Sequence, residues 1–246
     1  MSDPDVIDNP GEPFISHLVE LRNRLLIAVG SVLLIFICLV PFATDLYEWF
    51  AKPLISNLPQ GSTMISTEPH GPFFIPFKFA FASAFAIAVP IVLYQVWAFI
   101  APGLYQNEKS IALPLVVSST LLFYAGILFA YYIVFPVVFR FFISMAPEGV
   151  AVMTDISAYM SFALKLFFAF GVAFEVPVAT VLLARMGVVS TDSMAKQRPY
   201  IILGAFVIGM LMTPPDVFSQ IMLAIPVCLL FEIGLFFARR MEKKAD

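Results

Sequence analysis

Residues Ser157 to Ala184, SAYMSFALKLFFAFGVAFEVPVATVLLA, form an apolar run long enough to cross a bilayer, and Glu175 lies near its middle. Glu175 precedes Arg185 by ten residues. As helix that is about 15 Å, half of a hydrocarbon core of about 30 Å. A carboxylate at that depth costs a few kcal/mol unless it is protonated, paired or set against a water-filled cavity. The rest of the chain therefore has to surround or use Glu175.

The composition agrees with a lipid solvent. Of 246 residues, 61% are hydrophobic and only 13% are charged. A soluble domain of this size cannot hide so much apolar side chain. Cys38 and Cys228 both lie inside apolar runs, and read as small buried hydrophobes rather than a disulfide or a metal pair. The start, MSDPDVIDNPGEP, is acidic and Pro-rich. It reads as a disordered tail over 1–16, not as a signal peptide.

Six spans follow. HLVELRNRLL, from His17 to Leu26, is a charged amphipathic lead into span one, Leu25 to Thr44. Asp45 to Gly71 reads as an interfacial loop with short amphipathic pieces. Span two is Phe73 to Trp97, span three Ile111 to Phe139, and span four the stretch around Glu175. Polar loops are expected at Ala98–Ser110, Arg140–Ile156 and Arg185–Pro199. Tyr200 to Met212 is an uncharged run of 13 residues, about 20 Å of helix. It returns through Thr213–Asp216 into Val217 to Ala238. Such a short span implies a locally thinned bilayer or a helix that stops below the far surface.

Lys and Arg set the orientation. Ten of the 14 basic residues (Arg22, Arg24, Lys109, Arg185, Lys196, Arg198, Arg239, Arg240, Lys243 and Lys244) fall on the side of the N-terminus. Lys52 and Arg140 fall on the other side, with Lys78 and Lys165 near the outer ends of their helices. The bias places both termini inside. The fold class is thus an all-α integral membrane protein with six transmembrane helices, N-in and C-in. Bent helices form a concave wall, and the last two spans are short. Residues 17–240 make one transmembrane domain, with a cytoplasmic tail at 241–246. No internal repeat is evident, which argues against an inverted-repeat transporter.

Marks of an enzyme are missing. The sequence holds no G-x-x-x-x-G-K-[ST], no H-E-x-x-H and no G-x-S-x-G. His17 and His70 fall on opposite sides of the membrane. No cofactor, metal site or nucleic-acid surface is expected. What remains is polar residues at the inner face. Glu20 and Glu108 could each receive a guanidinium in a bidentate pair. Equally, they could pair with Arg22, Arg24 or Lys109, or stay solvated. Trp97, Phe99 and Tyr105 read as an interfacial aromatic belt, and Glu232 as a snorkelled interfacial charge. Pro90, Pro136, Pro177 and Pro226 bend their helices, and Glu175 is expected to face the resulting concavity.

Four strings, in order, resemble one family: HLVELRNRL, QVWAFIAPGLYQNEK, FAFGVAFEVPV and TPPDVFSQ. Together they are similar to TatC, the multispanning subunit of the twin-arginine protein translocase, over nearly the whole chain. Gly103 stands where the family more often has Ala. The resemblance implies a receptor in the bacterial inner membrane for signal peptides bearing consecutive arginines on folded cargo. The site would lie at the cytoplasmic face. Glu20 and Glu108 would contact the arginine pair, Phe99 and Leu104 would shape the adjacent surface, and His17, Leu21, Arg22 and Arg24 would complete the N-terminal motif. Glu175 matches an intramembrane glutamate, and Pro53, Thr213, Asp216 and Gln220 match positions for partner docking or structure. Implied partners are TatA- and TatB-type single-span proteins and further copies of the chain, driven by the proton-motive force. The residues alone also allow a proton-coupled small-molecule carrier with Glu175 as relay, or a structural membrane scaffold.

Overall fold

The structure, a computed structural model, describes residues 12–55, 65–100, 109–145, 155–212 and 217–242. All elements among them are helical, apart from one isolated bridge between Ile65 and Asp155.

Helix α1 (Glu12–Leu39) runs through a single 3-10 turn, Val40–Phe42, into α2 (Ala43–Ile55). Pro41 opens that turn, where a missing N–H costs little. Asp45 then stands in the first turn of α2, on the favourable end of its dipole. Residues 45–55 are therefore continuous helix, at the start of the stretch expected to be a loop with short amphipathic pieces. α2 buries Ala51 and leaves Trp49 78% exposed.

Helix α3 (Gly71–Ile100) keeps Pro76 and Pro90 inside one uninterrupted element. Span three is different. α4 (Lys109–Phe129) passes through a π-turn at Ala130–Val134 into α5 (Phe135–Ser144). The Phe135 amide donates to the Ala130 carbonyl, and Pro136, which has no amide to offer, follows at once. The wider turn absorbs the register change that this proline imposes. Helix then continues to Ser144, past the expected end at Phe139.

Span four is two helices. α6 (Ile156–Ala173) stops, and α7 (Val176–Arg185) starts two residues later. Pro177 in the first turn of α7 denies the upstream carbonyl its partner, and the break falls on Phe174 and Glu175. The expected polar loop at Arg185–Pro199 contains a short helix, α8 (Thr191–Lys196), whose N-cap Ser190 accepts from the Ser193 amide.

Helices α9 (Arg198–Met212) and α10 (Val217–Glu242) close the chain. α9 has 15 residues, about 22 Å. α10 has 26 and carries Pro226 without interruption, so only one of the last two spans is short, not both. Among the described residues, five stretches are long and apolar enough to cross a membrane: Ile15–Ala51, Gly71–Ile100, Leu113–Phe142, Ile156–Arg185 and Val217–Glu242.

The core lies between α4, α5, α6 and α10, around Phe170, Leu166, Val138 and Leu223. Two glycines permit its closest approaches. A Cβ on Gly126 of α4 would stand 2.4 Å from the Phe170 carbonyl oxygen, and one on Gly234 of α10 would stand 2.7 Å from the Pro177 Cα. α1, by contrast, packs chiefly on α3. Cys38 on α1 is exposed and Cys228 only partly covered, so neither is the buried hydrophobe that its apolar neighbours suggested.

Candidate functional site at the α1–α3 end

The first turns of α1 and the last turns of α3 meet. His17 stacks on Phe99 with ring centroids 4.4 Å apart and planes 13° off parallel. One turn along α1, Glu20 takes the Arg24 guanidinium on a single oxygen: Nε to Oε1 is 2.8 Å and Nη2 to Oε1 is 2.6 Å. The i,i+4 spacing puts both on one helix face. Arg24 Nη1 reaches across to Gln95 Oε1 of α3 at 3.5 Å. Glu20 Oε2 has only His17 Nδ1 at 3.9 Å among the described residues. Among the described residues, one carboxylate oxygen is committed to Arg24 and the other has no cation closer than His17.

Of the remaining N-terminal residues, Leu21 is exposed, and Arg22 points along α1 to Asn23 at 3.3 Å. Glu108, Leu104 and Tyr105 lie outside the described residues, as do Thr213 and Asp216. Pro53 falls in α2. Gln220 sits in the first turn of α10, its backbone 3.5 Å from where a Cβ on Gly209 of α9 would be.

Trp97 corrects the sequence reading. It is buried, not part of an interfacial belt, and its indole N–H donates to Ser119 Oγ of α4 at 2.8 Å. Leu182 of α7 packs against the same ring. Trp97 therefore fastens the end of α3 that carries Gln95 and Phe99. Apolar neighbours on α3 hid this signal, although an indole in an apolar span needs an acceptor, and the serines of α4 could have suggested one.

Glu175 occupies the α6–α7 break. Both of its oxygens are buried, and neither makes a hydrogen bond. The Ser119 hydroxyl is close enough to act on the carboxyl electrostatically, but its geometry falls short of a hydrogen bond. A hollow of about 1230 Å³ is not lined by Glu175. This carboxyl is turned into the protein and not toward that hollow.

Two further anchors escaped the sequence reading. Asp155 caps α6 through the Ala158 amide at 2.8 Å and holds the Thr67 hydroxyl at 2.6 Å and amide at 2.8 Å. Those Thr67 and Ala158 bonds depress its carboxyl to about 2. Glu232 does not stand alone at the interface. Arg198 grips it in a fork, Nε to Oε1 at 2.5 Å and Nη2 to Oε2 at 2.9 Å.

Among the described residues no cluster of His, Cys, Asp and Glu could hold a metal. The fold and this site define a class: an integral membrane protein of apolar helices with a polar, partly open cluster at one end. The family described as Sec-independent protein translocase protein (TatC) matches residues 16–226. The chain belongs to the TatC family, a translocase component and not an enzyme. It is 58% identical over 228 residues to the Sec-independent protein translocase protein TatC of Escherichia coli K12, covering 93% of this chain and 88% of that one. With its counterpart from Haemophilus influenzae it is 57% identical over 235 residues, with 96% and 92% covered. A crystal structure described as the twin arginine translocase receptor TatC superposes with a TM-score of 0.82 at 40% identity, covering 91% of this chain and 98% of that one.

Proposed function

We propose that this chain is the signal-peptide receptor of a twin-arginine translocase, binding Arg-Arg signal peptides of folded proteins at the cytoplasmic face. The observation that carries this reading is Glu20: Arg24 holds Oε1 and leaves Oε2 open beside the His17–Phe99 stack. A guanidinium stays charged and binds carboxylates through a planar fork, which a lysine ammonium lacks. Glu20 receives one arginine of the pair and Glu108 the other, with Leu104 and Phe99 forming the adjoining surface. His17, Leu21, Arg22 and Arg24 set the shape of the N-terminal side. The chain sits in the bacterial inner membrane as six spans with both termini inside. It nucleates assembly with TatA- and TatB-type single-span partners and with copies of itself, through positions that include Pro53, Thr213, Asp216 and Gln220. Export draws on the proton-motive force, with Glu175 as the intramembrane carboxyl.

Binding of a fluorescent signal peptide to the detergent-solubilised protein tests this, comparing Arg-Arg with Lys-Lys at matched salt. Arg-Arg is expected to bind more tightly, by about 1–3 kcal/mol per charge-assisted contact, with the preference lost in Glu20→Ala or Glu108→Ala. Equal, salt-sensitive binding of both peptides removes the receptor reading.

A further inference from the structure

The hollow of about 1230 Å³ lies toward the end of the helices remote from His17 and Phe99. Phe36, Phe81, Phe168 and Tyr132 wall it, and Trp49 of α2 stands at its rim. Two lysines line it as well, Lys78 of α3 and Lys165 of α6. Both are exposed, and among the described residues neither has an acidic partner. Lys78 follows Gly71 by seven residues and Lys165 follows Ile156 by nine. Along the helix axes that is about 10 Å and about 14 Å inward. Cations at such depth call for a counter-charge or for water.

An apolar trough whose lining carries two ammonium groups, neither with an acidic partner among the described residues, fits an amphiphile with an anionic head. We propose that the hollow binds one anionic phospholipid from the leaflet on that side, its phosphate between Lys78 and Lys165 and its acyl chains along the phenylalanine wall. Ser83 and Ser161 add hydroxyls to the same lining. Trp49 and Tyr132 add exposed amphipathic rings to the same lining. A partner's apolar helix would fill the trough but leave both ammonium groups without a counter-charge, which is why the lipid is the better occupant.

The chain has two tryptophans, and they make the test direct. Trp49 is 78% exposed at the hollow, whereas Trp97 is 5% exposed near the opposite end. Brominated acyl chains in bilayers therefore quench Trp49 selectively. Brominated phosphatidylglycerol is expected to out-compete brominated phosphatidylcholine by about fivefold for each lysine. The preference should fall to parity in Lys78→Gln/Lys165→Gln and persist in Lys78→Arg/Lys165→Arg, which also reports that the fold survives substitution. Parity in the unaltered protein overturns the proposal. So does a preference that survives the glutamine pair, or a Trp49 that neither lipid quenches, which would mean that something else fills the hollow.

Discussion

Glu20 shows how a surface carboxylate is readied for a second cation. Arg24 and Gln95 fix it between α1 and α3, so little side-chain entropy remains to be lost when Oε2 is engaged. Glu20→Gln keeps the shape and removes the charge. It is expected to weaken Arg-Arg peptide binding by about 1.5–3 kcal/mol, measured by fluorescence anisotropy, while leaving thermal unfolding nearly unchanged. Ser119→Ala acts differently. It strands the buried Trp97 indole N–H, and should lower stability by about 1–3 kcal/mol in detergent melts. The α3 end that carries Phe99 would loosen with it, so peptide affinity should drop as well. Glu20 was legible in the sequence because few acids stand at the inner ends of the spans. Its choice of Arg24 was one of several open pairings there, since spacing along one helix does not decide which cation folds back and which reaches a neighbour.

At the scale of elements, prolines with similar sequence surroundings have different outcomes. Pro90 and Pro226 sit inside unbroken helices, Pro136 follows a π-turn, and Pro177 follows a full break. Sequence locates the missing amide in each case, but packing decides how the backbone absorbs it, and the tight seat of Gly234 against Pro177 belongs to the break. The Asp155 cap is likewise a local signal, an acid just before an apolar run, whose long-range half, Thr67, is 88 residues away. Its pH dependence follows from the sign of the shift. The carboxyl is held at about 2, below the ordinary 3.8. Its contribution is therefore complete above pH 3.8 and is lost as pH falls through about 2. Melting temperature in detergent should decline across that window, and the decline attributable to this site should vanish in Asp155→Asn.

For the whole molecule, the lengths of the apolar runs were enough to read the helical class and the order of the apolar helices. The last span, expected to be short, is instead the 26-residue α10. In place, α10 carries the proline within continuous helix and Glu232 is neutralised by Arg198. The six-span, N-in and C-in arrangement has its own test. Single cysteines placed in the 241–246 tail should react with impermeant maleimide only from the cytoplasmic side, and cysteines placed near Thr67 only from the other; the reverse pattern would invert the topology.

The one-sided seat of α1 carries a mechanical implication. Because α1 leans chiefly on α3, a rigid tilt against that single neighbour would carry its whole length. With 28 residues, a tilt of about 3° displaces its far end by about 2 Å. A ligand that does no more than nudge the His17–Phe99 stack would thus be registered on the opposite side of the membrane, without any change in the core between α4, α6 and α10.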